Sequence, residues 1–157
     1  MPNTNTKSTG PQQVDVRGPR FTAWVTTVVI VATLITSAFS NVAAAVILGL
    51  QAVVFAIGAL GGPRRHPYGR LFATFVVPRL GPVTDREPAP PLKFAQFVGL
   101  LFAVVGAAGF AIGLPALGLV ATAFALVAAF LNAAFGICLG CQLYPLVTRF
   151  RSTPSPA

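Results

Sequence analysis

Charge is what this 157-residue chain has least of. Asp, Glu, Lys and Arg make up 9% of it, and only three residues are acidic. A soluble domain carries about 25% charged residues, so bulk water is not the main solvent of this chain. Histidine occurs once, at His66, and cysteine twice, at Cys138 and Cys141. A zinc or iron–sulfur centre takes about four ligands. Two cysteines leave such a centre incomplete unless His66 approaches or a second chain adds its thiolates, so no metal and no cofactor is assigned. No polar stretch is long enough to form a soluble domain, and no basic patch sits on one. Nucleic acid is therefore not an expected partner, in spite of a formal net charge of +8.

What the chain does have is long uncharged apolar runs, at 21–39, 43–60, 94–113 and 117–140. About 20 mostly apolar residues cross a hydrocarbon core of about 30 Å. Backbone groups in hydrocarbon must be satisfied internally, so helices are the expected form. The fold class is all-α, an integral membrane bundle of four transmembrane helices in two hairpins. The eleven Lys and Arg lie in only three places. Lys7, Arg17 and Arg20 precede the first run, a basic stretch from Arg64 to Lys93 separates the second from the third, and Arg149 and Arg151 follow the fourth. The positive-inside rule then places both termini and the central loop in the cytoplasm of a multi-pass inner-membrane protein. The basic residues face anionic lipid headgroups. A cleaved signal peptide is the rival reading of the first run, but signal h-regions span about 7–15 residues and this run is longer.

The expected layout is a disordered tail over 1–14, one membrane domain over 15–150 with a cytoplasmic loop over 61–93, and a second disordered tail over 151–157. Residues 71–77, LFATFVV, space their apolar side chains for one helix face. They read equally as an interfacial helix or as a loop packed beneath the bundle. Pro78 predicts a break near Val77, and GPVTDREPAPPLK (81–93) reads as an extended connector. Ala121, Ala125, Ala129 and Ala133 recur every four residues, with Asn132 on the same side. Gly109 and Gly113 form a G-x-x-x-G. Small residues permit close approach, so these are candidate packing residues, joining helices three and four rather than two chains. Gln51 and Thr33 fall at similar depth, which predicts a hydrogen bond between them. No run holds an ionisable residue, which argues against a proton-coupled transporter or channel.

The stretch FGICLGCQLYP (135–145) carries both cysteines. A rise of about 1.5 Å per residue from Leu117 puts Cys138 about 31 Å along helix four, at the inner edge of the hydrocarbon. Pro145 predicts a break beyond Tyr144. On the reducing cytoplasmic side a permanent disulfide is not expected, whereas a reversible dithiol is allowed. If helix four is unbroken, the pair lies near its C-terminus, whose negative end disfavours a thiolate. Cys138 then joins the bulky stripe of Val120, Val127 and Leu131. If the helix breaks at Gly136 or Gly140, the pair turns toward Gln96 and His66. Redox or sulfur-transfer chemistry, a metal site and plain packing all stay open. Under the first, Cys141 is the candidate nucleophile and Cys138 resolves, with Gln96, His66, Gln142 and Tyr144 as auxiliary residues. Arg149 and Arg151 assist only if the chain folds back.

The segments VDVRGPRF, GPRRHPYGRLFATFVVPRLGP, PAPPLKFAQ and LNAAFGICLGCQLY together resemble the domain-of-unknown-function 4395 family of small bacterial membrane proteins, common in actinobacteria. The likeness runs from Val14 to about Arg149, and CLGCQLY is its most specific piece. It implies a multi-pass membrane protein and brings no established activity. Family members often place an acidic residue after the second cysteine. Gln142 stands there in this chain and removes a general base or metal-facing carboxylate.

Two functions follow. One is a membrane-embedded thiol protein relaying electrons or sulfane sulfur between a membrane acceptor and a cytoplasmic thioredoxin-like or rhodanese-like partner. The other is a non-catalytic structural or assembly partner of another membrane complex, working through the Ala ladder, the interfacial segment and the basic loop. Neither sets the oligomeric state. The orientation is directly testable: a fluorescent reporter fused after Ala157 is expected to fluoresce and a periplasm-dependent phosphatase there to stay silent. The reverse pattern rejects the positive-inside assignment.

Overall fold

A computed structural model of the chain describes residues 10–151. Four long helices, α1 (Arg17–Ser37), α2 (Asn41–Gly61), α4 (Ala89–Ala111) and α5 (Pro115–Phe135), are each long and apolar enough to cross a membrane. Between α2 and α4 lies a short α3 (Pro67–Leu71), continued by wider and then tighter helical turns to Arg79. A last helix, α6 (Leu139–Arg151), follows α5. At about 1.5 Å per residue, 21-residue helices are close to the hydrocarbon thickness.

The bundle is inverted relative to a water-soluble one. Many large aliphatic side chains, such as Val28, Ile35, Leu50, Leu101, Val104 and Val120, point outward, while the interior combines Ala, Gly and Thr with a few large side chains such as Ile30, Leu48 and Phe110. Lipid tails are as apolar as Leu, so burying Leu gains little, and close packing of small residues holds the helices together. The most extensive contact joins α2 to α4, followed by α4 to α5 and α1 to α5. Leu48, Phe55, Ala103 and Phe110 form the heart of the core. Of the alanine ladder, Ala121, Ala125 and Ala133 are buried, and Ala129 is half-buried. Gly109 meets the α5 backbone, where a Cβ would lie 2.6 Å from the Gly118 nitrogen. Gly113 does not share this role. It sits in the α4–α5 turn at φ +78° with open space beside it, since a turn there needs the left-handed region.

One expectation about polar groups is corrected. Thr33 does not reach Gln51. Its hydroxyl donates to the Val29 carbonyl one turn back (2.9 Å), the local bond always within reach of a helical threonine. Gln51 instead accepts from the Tyr68 hydroxyl at 2.8 Å, a partner supplied by the loop. The connector before the third span is also shorter than read. Proline lacks only an N–H that the first helical turn does not use, so α4 begins at Ala89 and takes in Pro90, Pro91 and Lys93. α1 likewise starts four residues before Phe21.

The N-terminal boundary moves as well. Gln13–Asp15 (β1) pairs antiparallel with Arg86–Pro88 (β2), with Val14 opposite Glu87. Ala89 donates its N–H to the Gln12 carbonyl at 2.8 Å. The start of α1 and the start of α4 are thereby clasped at one face of the bundle. Asp15 bonds the Arg17 guanidinium and backbone N–H, and that guanidinium holds the Asp15 carboxyl below its usual range. The rest of the expected N-terminal tail, 1–9, and residues 152–157 lie outside the described residues, whereas Arg151 is still helical. Segment 67–79 is helical and buries Phe72 against Phe21 of α1, ring centroids 5.6 Å apart. Leu71 and Phe75 remain exposed on its other side.

Gly109→Val is expected to destabilise the protein by about 1–3 kcal/mol through overpacking against α5, read as a lower melting temperature in detergent. Val104→Ala on the outward face should leave that temperature nearly unchanged, and equal effects would reject the inverted packing.

Candidate functional site

The fourth span does not run on to Gly140. It ends at Phe135, and Gly136 takes a left-handed conformation (φ +69°) whose N–H donates to the Asn132 carbonyl. Glycine enters this region without a Cβ clash, which makes it the preferred residue just past a helix end. Three residues after Gly136 a new helix begins. The Gln142 N–H donates to the Cys138 carbonyl at 3.1 Å and the Cys141 N–H lies 3.3 Å from the Cys138 sulfur. Cys138 therefore caps the N-terminus of α6, and Cys141 sits in its first turn.

Of the two alternatives, this is the broken helix, with the break at Gly136, and not the unbroken one that places the pair at a C-terminus within the bulky stripe. The positive end of α6 faces Cys138 and favours its thiolate. The two sulfurs lie at disulfide distance with Cα atoms 5.2 Å apart. Pro145 does not end the chain's helical course. It occupies an exposed position inside the 13-residue α6, where it costs only the bond to the Cys141 carbonyl. Because α6 is continuous, Arg149 lies about 12 Å along its axis from Cys141 and does not fold back.

Gly140 anchors α6 to α4, since a Cβ there would fall 2.5 Å from the Ala95 Cα. Tyr144 adds a ring contact with Phe94 at 6.1 Å. This docking sets Cys138 on the wall of a partly open cavity of about 540 Å³ lined by α1, α2, α4, α5, α6 and the loop. His66, Gln96 and Asn132 line the same cavity. The break thus brings together Cys138, Gln96 and His66. Gln142 is exposed, Tyr144 packs on Phe94 instead, and Cys141 is not on the cavity wall.

His66 is only 2% exposed. Its Nε2 lies 3.2 Å from the Gln96 Oε1. A carboxamide oxygen only accepts, so Nε2 carries the proton and Nδ1 presents a lone pair. Among the described residues that Nδ1 has no partner. Burial pushes the imidazole down to about 4, with the Gln96 bond opposing it, so His66 is neutral near pH 7. Burial also raises the Tyr68 phenol. Residue reasoning missed the Tyr68–Gln51 bond and the Thr22 and Thr26 wall of the cavity. The recurrent threonines of the first run were the available signal for that wall. Among the described residues no three His, Cys, Asp or Glu side chains gather to hold a metal.

The buried imidazole has a consequence for stability. Above pH 6.5 both folded and unfolded His66 are neutral and its contribution is full. As pH falls from 6.5 toward about 4, the unfolded chain binds a proton that the folded chain refuses, and stability declines. The loss is at most about 3 kcal/mol. Melting curves in detergent between pH 8 and pH 4.5 should show this decline, and His66→Asn should flatten it. Parallel curves for the two proteins would reject a buried neutral imidazole.

No curated protein and no solved structure matches the chain. The family model described as a domain of unknown function (DUF4395) matches residues 14–149, and the chain belongs to that family.

Proposed function

We propose that this protein is a membrane-embedded thiol redox or sulfur-relay protein whose reactive pair is Cys138 and Cys141. The observation that carries the reading is the break at Gly136, which sets the pair at the N-terminus of α6 beside a cavity. A thiolate at a helix N-terminus is both more populated and a better leaving group. In exchange, a partner's thiolate attacks the Cys141 sulfur, the S–S bond breaks, and the electron pair stays on Cys138, where α6 amides stabilise it. Cys141 then holds the mixed disulfide. A second partner thiolate attacks the partner's sulfur, releases Cys141 as a thiolate that takes a proton from water, and leaves the partner oxidised. The partner on this reading is a thioredoxin-like or rhodanese-like protein at the cytoplasmic face, and the membrane is the inner membrane with both termini cytoplasmic.

The purely structural alternative loses one of its working surfaces. Ala121, Ala125 and Ala133 are buried against this chain's own helices and do not form an outward contact face.

In inside-out vesicles treated with a phosphine reductant, maleimide is expected to add to both Cys138 and Cys141, and mild oxidant to block both additions together. Cys141→Ser should leave a single thiol at Cys138 that alkylates faster at pH 7 than free cysteine. Thiols that stay unlabelled after reduction would sink the redox reading.

A further inference from the structure

The cavity beside Cys138 has two unlike ends. Most of its wall is apolar, formed by residues such as Ala23, Phe102, Phe124 and Val127. Among its polar groups, Gln96 and Asn132 lie toward the end where α6 docks, since Gln96 follows the Ala95 that seats Gly140 and Asn132 lies one turn before Gly136, and His66 bonds Gln96, while Thr22 and Thr26 of α1 also line the wall. A second apolar groove of about 400 Å³ continues between α4 and α5, lined by Leu101, Val105, Leu117 and Val120. Val98, Phe102 and Phe124 line both spaces, so they adjoin. From Asn132 to Leu117 the combined path follows α5 for about 22 Å. Phe124 and Val127 are 59% and 53% exposed, so the path borders the lipid-facing surface.

Resting on the thiol reading above, we infer that these joined spaces hold a lipid-soluble quinone, its ring beside Cys138 and its apolar tail in the α4–α5 groove, and that this quinone is the membrane acceptor for electrons from the cysteine pair. Three features select that class. The path has a polar head end and an apolar tail of bilayer depth. Cys138 of the redox pair lies on the wall at the head end, and a two-electron donor at the edge of the hydrocarbon can pass its electrons to a two-electron acceptor soluble there. His66 lines the cavity, and its Nδ1 has no partner among the described residues. The Asn132 amide supplies N–H donors for a ring carbonyl.

The step balances within these groups. The two S–H bonds of reduced Cys138 and Cys141 break and one S–S bond forms. Two electrons and two protons pass to the quinone, whose two carbonyls become hydroxyls. Arg64 and Arg70 also line the cavity, so a phospholipid phosphate is the rival occupant.

The test uses the full chain in lipid nanodiscs, its pair reduced and the reductant removed. The probes are a fully ring-substituted benzoquinone with a ten-carbon tail and its tail-less counterpart. Quinone absorbance and free thiols are followed together. One tailed quinone is expected to be consumed per two thiols lost, with saturation. The tail-less probe should half-saturate at a concentration at least about tenfold higher. Val120→Trp, on an exposed position of the groove that folding does not depend on, should weaken the tailed probe and spare the tail-less one.

Consumption that never saturates and ignores Val120→Trp overturns the site. So does a stoichiometric phospholipid, seen by mass spectrometry, that the quinone cannot displace. If an aqueous disulfide reagent oxidises the pair and the quinone does not, the quinone inference falls and the thiol reading stands. If neither reagent oxidises it, both fall.

Discussion

In hydrocarbon a backbone N–H or C=O has no water to turn to, and each orphan costs several kcal/mol. The rest of this structure depends on that constraint. It makes each apolar run a complete helix and forbids a break at bilayer depth. It also explains why Gly136, the left-handed residue that ends α5, falls 21 residues after the span begins and not in its middle. The position where the chain is free to turn is the position where the membrane ends.

The chemistry of the cysteine pair is a consequence of that turn. Along a continuous helix Cys138 would present its sulfur to lipid beside the negative end of the dipole. With Gly136 left-handed, the same residue becomes the N-cap of a new helix, and its sulfur accepts from the Cys141 N–H. Gly140 then decides where the new helix goes, because only a hydrogen at that position lets α6 lie against Ala95. Two glycines therefore do different work: one reverses the sign of the local field at Cys138, and the other sets the cysteine on the cavity.

The loop between α2 and α4 supplies the other half of the site. His66 and Tyr68 bond the half-buried Gln96 and the buried Gln51, and Tyr68 gives the Gln51 oxygen its partner. Gly58 makes room for the imidazole, since a Cβ there would meet the ring at 2.5 Å. The β1–β2 clasp closes the same face and joins the starts of α1 and α4. The long connection read from its charges as a cytoplasmic loop is thus also a wall of the core.

By itself the sequence determined the all-α class and the four spans, because run length and the need to satisfy the backbone leave little choice. The small-residue faces were legible for the same reason, although Gly113 turned out to serve a turn. The cysteine spacing was visible, and so was the pair of glycines able to re-aim it. Only the tertiary structure decided which glycine breaks the helix, which end of a dipole the sulfurs meet, and that Gln51 pairs with Tyr68 and not Thr33. Those outcomes depend on which distant backbone can approach Gly140, His66 and Tyr68. Local periodicity carries no record of such approaches, and two strands of three residues are too short to leave a pattern.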